Sequence, residues 1–246
     1  MTPRRLAIEN YRGRLVPRTL GLWLAAAGCL STVVVAVAGG RVRAAGWGAT
    51  AGSLLVCAAG VVDDLAPAGP RGLANHLRSL ASGHVTTGIV KVIVTLGASI
   101  VVVALEPMAS WSAALAGVVL IAASTNVWNG LDVRPGRALK FALVAIVGLL
   151  GIDVALLPTL PGIALGAAVA LPVDLRERSM LGDGGSNLLG FTIGLGLYLV
   201  LPAGAIGPAA LVAVALNVVG DTFTFSRAID AIPPLRWFDR LGRVRA

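Results

Sequence analysis

The sequence predicts an all-α, polytopic helical membrane protein with about eight transmembrane helices and both termini in the cytoplasm. Four observations carry that expectation. Of the 246 residues, 57% are hydrophobic and only 13% charged, with a mean hydropathy of +0.86. The apolar residues lie in long uncharged runs of roughly 18 or more, the length of a membrane span. Once those runs are drawn as spans, all but Arg41, Arg43 and Lys91 of the 20 basic residues fall on one side, which sets that side as cytoplasmic. Finally, Trp23, Trp47, Trp111 and Trp128 sit near span ends, where amphipathic indoles favour the membrane interface.

Residues 1–19 form a cytoplasmic segment carrying Arg4, Arg5, Arg12, Arg14 and Arg18. Spans are expected at 20–38, 47–62, 86–105, 111–128, 138–152, 154–172, 188–201 and 204–220, with 221–246 as a basic cytoplasmic tail. The whole chain, 1–246, reads as one transmembrane domain. Between 138 and 172 a single helix would far exceed a hydrocarbon core of about 30 Å, so Asp153 and the bends at Pro158 and Pro161 divide it into two. This division also keeps Arg176 and Arg178 inside. Ala36-Val37-Ala38 resembles a signal cleavage site, but the basic region before it and the apolar run are both too long, so the first span is expected to stay. Cys29 and Cys57 lie within apolar spans and read as small buried hydrophobes. The net charge of +8 follows from topology and attraction to anionic headgroups, and calls for no nucleic acid.

With the spans drawn, only Glu106 and Asp153 among the acidic residues face outside. Three polar clusters meet at the inner face: Asp63-Asp64 at the end of the second span, Asn126, Asn129 and Asp132 at the end of the fourth, and Gly182-Asp183-Gly184-Gly185-Ser186 before the seventh. Each has a plain structural reading. The aspartates suit a solvated helix end, the i, i+3, i+6 stripe suits a helix-packing seam, and the glycines suit a turn. Equally, the amides of a glycine-rich segment beside a helix start can hold an anion. Carboxylates and amide oxygens suit a hard cation such as Mg²⁺, whereas His76 and His84 in one loop and two membrane cysteines do not suit zinc. Metal, anion cradle and arginines at a membrane face together point to phosphoryl transfer on a lipid phosphate.

The stretches Gly60-Val61-Val62-Asp63-Asp64, Asn126-x-x-Asn129-x-x-Asp132 and Gly182-Asp183-Gly184-Gly185-Ser186-Asn187-Leu188-Leu189-Gly190 resemble, in order and spacing, the signature loops of the polyprenyl-phosphate N-acetylhexosamine-1-phosphate transferases. Tyr11 to Thr19 looks like that family's first cytoplasmic loop. The resemblance implies a multi-pass protein of the bacterial inner membrane, with its active site on the cytoplasmic face. It further implies transfer of a sugar-1-phosphate from a UDP-N-acetylhexosamine to polyprenyl phosphate, giving polyprenyl-diphosphate-sugar and UMP, in cell-wall glycan synthesis such as that of peptidoglycan. By the same resemblance Asp183 ligates Mg²⁺, and Asp63 and Asp64 position or deprotonate the lipid phosphate. Asn126, Asn129 and Asp132 organise nucleotide and metal, Lys91 meets phosphate, and Gly184 and Ser186 belong to the anion cradle. Lys91 also has a plain reading, snorkelling to the inner headgroups. The expected partners are polyprenyl phosphate, a UDP-sugar and the bilayer, with a homodimer among the assemblies this allows.

The chain departs from the family in two places. It lacks the first and last of the usual ten spans, and 221–246 contains no histidine where the family has a histidine-rich loop. After Asp132 the segment Val133-Arg134-Pro135-Gly136-Arg137-Ala138-Leu139-Lys140 replaces an aspartate-glycine pair. Arg134 and Arg137 are read as a substrate-diphosphate clamp, with solvated positive-inside charge as the alternative. Two other function classes stay open: a catalytically inactive lipid-phosphate-binding or scaffold protein, which the missing histidines favour, and a small transporter, which the one-sided acids disfavour. The charge asymmetry makes a direct prediction: cysteines placed at Asp64, Asp132 and Asp183 react with an impermeant probe only from the cytoplasmic side. Labelling of the 183 position from outside overturns the topology.

Overall fold

The computed structural model describes residues 6–10, 12–66, 78–79, 81–107, 109–153 and 157–243. Among the described residues it has ten helices and is 77% helical. Eight principal helices run α1 (Leu20–Val37), α2 (Ala44–Leu65), α3 (Thr87–Ala104), α4 (Trp111–Leu131), α5 (Arg137–Ile152), α6 (Thr159–Leu175), α7 (Gly182–Val200) and α8 (Ala203–Phe223). Two short ones, α9 (Phe225–Ala231) and α10 (Pro233–Arg240), form the tail, and a small antiparallel hairpin of β1 (Ala7–Glu9) and β2 (Leu15–Pro17) precedes them all. Helices α1 to α4 and α8 are long and apolar enough to cross a membrane, and α6 is a shorter apolar helix. The protein is therefore all-α and of membrane type, as its composition predicts.

Local sequence sets the helix ends. Thr86 and Ser110 cap α3 and α4, their hydroxyls accepting from the amides of Ile89 (3.3 Å) and Ala113 (3.1 Å). Chain direction changes at Gly136, whose positive φ of 72° opens α5. The amide of Gly136 donates to the Asp174 carboxylate (2.8 Å), so the start of α5 lies beside the end of α6 and the two helices fold back on each other. The division of 138–172 into two helices is thus observed, although residues 154–156 of the expected sixth span lie outside the described residues.

The largest difference from expectation is α7, which begins at Gly182 rather than Leu188. The glycine-rich stretch is its first turn, not a loop: Ser186 Oγ donates back to the Gly182 carbonyl (3.0 Å), and Asp183 adds a favourable charge beside the free amides. All of α7 except Asp183, Leu197, Leu199 and Val200 is buried, so it is the axis around which α1, α2, α4 and α5 pack. In contrast, α8 turns Leu211, Val212 and Val218 outward, as a helix facing lipid does.

Close approach fixes the α2–α7 crossing. A Cβ on Gly60 would lie 2.5 Å from the carbonyl oxygen of Asp183 and 2.6 Å from the amide nitrogen of Gly184, distances that only glycine permits. Gly60→Val therefore forces the two helices apart and costs about 1–3 kcal/mol by overpacking. Thermal unfolding in detergent should fall by several degrees for this variant. Gly148→Val, where nothing lies within 4 Å of the added carbon, leaves the midpoint in place. Equal midpoints for the two variants would contradict the crossing.

Candidate functional site

Four helices deliver their polar residues to one point. The last turn of α2 brings Asp63 and Asp64, the first turns of α3 bring Thr87 and Lys91, the last turn of α4 brings Asn129, and the start of α7 brings Asp183, Gly184 and Ser186. Lys91 is the centre: its Nζ lies 2.6 Å from Asp183 and 3.0 Å from Asp63. Asn129, with its amide set to satisfy its neighbours, accepts from Lys91 (3.1 Å) and donates to Asp183 (3.2 Å) and to Ser186 Oγ (3.3 Å). Thr87 donates to Asp63.

Asp64 is held separately, and by a residue the sequence reading did not place in the site. Arg18 reaches it at 2.5 Å, and the amide of Gly184 donates to its other oxygen at 3.4 Å. Arg18 is aimed there because the hairpin is stitched to the α6–α7 connection. The amide of Met180 donates to the Pro17 carbonyl (2.8 Å), that of Leu20 donates to the Met180 carbonyl (3.2 Å), and Ser179 Oγ donates to Pro17 (2.9 Å). Asn10 and Arg12 pin the hairpin to Glu177, which turns the chain in a left-handed conformation (φ 54°) between α6 and α7. A small Gly182 with φ 69° lets Asp64 approach, since a Cβ there would stand 2.6 Å from its carboxylate.

The Asn126, Asn129, Asp132 stripe divides. Asn129 joins the cluster. Asp132, at the end of α4, instead lines a pocket of about 40 Å³ with Asn10, Arg134, Asp174 and Glu177. Burial there, reinforced by the negative charges of Asp174, Asp183 and Asp64 against the pull of Arg18, pushes its carboxyl well above the ordinary range. Asn126 lies deeper along α4 and donates to Asn217 of α8 (2.6 Å). It lines a groove of about 330 Å³ between α3, α4 and α8 that runs from Lys91 past Val92, Leu96, Val214 and Val218. Asn217 was legible as a polar residue in an otherwise apolar span; Thr87 and Arg18 carried no such signal.

Arg134 and Arg137 are placed elsewhere than the expected diphosphate clamp. Arg137 is fully buried and forms a bidentate pair with Asp239 of α10 (2.8 and 3.1 Å), with a third bond to Ser226. Arg134 pairs with Asp230 (3.1 Å). Lys140 donates to the carbonyls of Phe238, Asp239 and Leu241 (2.9, 2.6 and 3.0 Å), capping α10. The basic segment 133–140 is thus the receptor of the C-terminal tail, and its guanidinium groups are spent on carboxylates of this chain.

Among the described residues no group of three or more His, Cys, Asp and Glu side chains is disposed to hold a metal ion alone. Mg²⁺, however, takes one or two carboxylates and completes its shell with water and phosphate oxygens. Asp63 and Asp183, which meet at Lys91, supply the one or two carboxylates of such a site, so the residues fit that ion. Comparison with family models, with curated proteins and with solved structures gives no match.

Burial alone would raise the Asp239 carboxyl, but its hydrogen bonds with Arg137 and the charges of Arg137, Arg243 and Lys140 hold it below the ordinary carboxylate range. A lowered folded value means that the stabilisation is present above the ordinary range and is lost as pH falls through the lowered value. Asp239→Asn removes it at every pH and leaves the buried Arg137 without its carboxylate, a cost of about 3–5 kcal/mol. Hydrogen exchange should then show α9 and α10 losing protection while α7 keeps it. Unchanged protection of α10 would mean that the ion pairs do not hold the tail.

Proposed function

We propose that this protein is a Mg²⁺-dependent phosphoglycosyl transferase of the bacterial inner membrane, spanning it eight times with both termini in the cytoplasm. It moves a sugar-1-phosphate from a UDP-N-acetylhexosamine to polyprenyl phosphate in cell-envelope glycan synthesis. The observation that carries this reading is the convergence of Asp63, Lys91, Asn129 and Asp183 at one end of the helix bundle, at the head of the groove between α3, α4 and α8. A cluster of carboxylates around an ammonium suits phosphate chemistry, and the groove suits an isoprenoid. Val92, Leu96, Val214 and Val218 are exposed, so the groove opens sideways on the helix surface where a lipid chain can enter. Within it Asn187, almost wholly buried, has an amide nitrogen without a partner among the described residues. An unpaired amide costs about 1–3 kcal/mol, and a polar ligand group in the groove would offset it.

In this reading Lys91 receives the lipid phosphate at the head of the groove, exchanging part of its pairing with Asp63 and Asp183 for phosphate oxygens. A phosphate oxygen of the lipid attacks the sugar-linked phosphorus, the bond to the bridging oxygen breaks, and UMP leaves. Asp63 and Asp64, fixed by Thr87 and Arg18, orient the attacking group and accept any proton it still carries. Asp183, with Asp63 beside it, would hold Mg²⁺, which when bound neutralises charge on the transferring phosphoryl group. Asp132 lines a separate small polar pocket that shares no residue with the groove, and in this reading it would help organise the nucleotide.

One observation favours a second reading. Lys91 already satisfies Asp63 and Asp183, and the arginines beyond Asp132 are committed to the tail, which suits a lipid-phosphate-binding scaffold without turnover. Release of UMP by the purified protein given polyprenyl phosphate, a panel of UDP-sugars and Mg²⁺ decides between them. Asp183→Asn keeps size and polarity but loses the charge that holds a hard cation. Asp63 still pairs with Lys91 in this variant, so it should insert and fold, if less stably, yet release UMP at less than about one hundredth of the wild-type rate, about 2.7 kcal/mol of transition-state stabilisation. Near-normal Mg²⁺-dependent turnover in that variant would overturn the metal assignment. Binding of polyprenyl phosphate with no turnover on any UDP-sugar would establish the scaffold.

A further inference from the structure

The tail helix α10 has two unlike faces. Inward, Phe238 stacks edge-on against Phe141 with ring centres 5.2 Å apart, and Asp239 is fully buried against Arg137. Outward, Ile232, Trp237 and Leu241 stand exposed beside the guanidinium groups of Arg236 and Arg240, and Trp237 is 66% exposed. A recess of about 740 Å³ opens among Arg236, Trp237, Arg240, Leu241 and Arg243. Arg243 pairs with the buried Asp239, and Asp230 faces the other two arginines. Asp230 stands 3.8 Å from Arg240 and is shared with Arg134, while its carbonyl accepts from Arg236 at 3.4 Å.

The position of this face is set by its anchor. Lys140 and Arg137 belong to the first turn of α5, and they grip the last turn of α10. Immediately before α9 comes the end of α8, where Phe223 is exposed. The tail therefore lies at the level where the long apolar helices end, which for a membrane-embedded bundle is the headgroup layer. Exposed tryptophan and leucine between arginines, on a helix lying at that depth, have the chemistry of a membrane surface: apolar tips for the upper acyl chains and cations for phosphate.

We propose that α10 is an interfacial helix that binds the phosphate headgroups of anionic phospholipids in the recess between Arg236 and Arg240, with Trp237 and Leu241 seated below them in the bilayer. The proposal rests on membrane embedding alone and stands whether or not the protein is a transferase. The ion pairs of Asp239 hold the helix in register from behind, and the outward arginines supply the preference for anionic over neutral lipid. At about the strength of one surface arginine on an anionic leaflet, each contributes about a fivefold preference.

The test uses the full chain in nanodiscs, with Cys29→Ala and Cys57→Ala as background and a nitroxide on Trp237→Cys. In discs containing phosphatidylglycerol the label should sit at the boundary of headgroups and acyl chains, accessible to oxygen and shielded from an aqueous nickel chelate. In phosphatidylcholine discs it should move toward water. Independently, native mass spectrometry of the unlabelled protein should show phosphatidylglycerol retained over phosphatidylcholine, and Arg236→Gln with Arg240→Gln should lower that preference about tenfold or more. Neither arginine bonds to Arg137, Lys140 or Asp239, whose contacts anchor the tail, so protection of α10 from hydrogen exchange should persist and separate lost lipid binding from lost folding. A water-exposed label in phosphatidylglycerol discs, or an unchanged lipid preference in the double variant, overturns the proposal. So does capture of an acidic soluble protein by α10 while the label stays in water.

Discussion

An ammonium on a membrane helix needs partners, and the partners of Lys91 organise this bundle. Without Asp63 and Asp183 the charge would sit largely out of water at a cost of several kcal/mol, and without Lys91 those carboxylates would repel one another at close range. Neither arrangement is stable alone, so α2, α3 and α7 are tied together at one end, and Asn129 adds α4 through bonds to both Lys91 and Asp183. Such networks fix register more than they add stability, because removing charge from water roughly cancels the attraction gained. Here the register is what counts: it sets which side chains meet Lys91 at the head of the groove.

Packing makes that network affordable to build. The start of α7 can reach Asp63 and Asp64 only because α2 and α7 cross with backbone nearly touching backbone at Gly60 and Gly184. In a bilayer, where lipid tails are as apolar as side chains, close approach of helices supplies dispersion contacts that hydrophobicity does not. The glycines of the Gly182 to Ser186 stretch thus have two uses at once. They let the helices meet, and they leave the first amides of α7 pointing at the carboxylates, one of which, on Asp64, accepts from Gly184.

Much of this was legible in the sequence because it depends on local pattern. Apolar runs gave the helices to within a few residues, and turn residues such as Gly136 marked where they end. Asp63, Asp183 and Asn129 were found because carboxylates and amides at the ends of apolar helices are rare enough to notice. What was not legible depends on partners far along the chain. Arg137 is 102 residues from Asp239, and Arg18 is 46 from Asp64. An arginine suits a phosphate or a carboxylate equally well, so type and spacing alone could not tell a substrate clamp from a tail receptor, nor show that one of five N-terminal arginines enters the site. The start of α7 was misplaced for a related reason: glycine and serine signal a turn by propensity, and tertiary contacts with α1 and α2 override it.

Charge balance links the site to its proposed cofactor. Asp63, Asp64 and Asp183 carry three negative charges against the two positive charges of Lys91 and Arg18. Two phosphate-bearing substrates would bring several more negative charges into a space partly shielded from water, where like charges a few ångströms apart repel by several kcal/mol. Among the described residues the cluster has no further cation, and Arg134 and Arg137 pair with Asp230 and Asp239. A divalent ion held by the carboxylates is the one addition that neutralises both them and the phosphates without moving a helix. Under the transferase reading, then, Asp183 and Asp63 would hold a divalent ion that supplies positive charge to the phosphates, and Lys91 would turn part of its pairing toward phosphate oxygens.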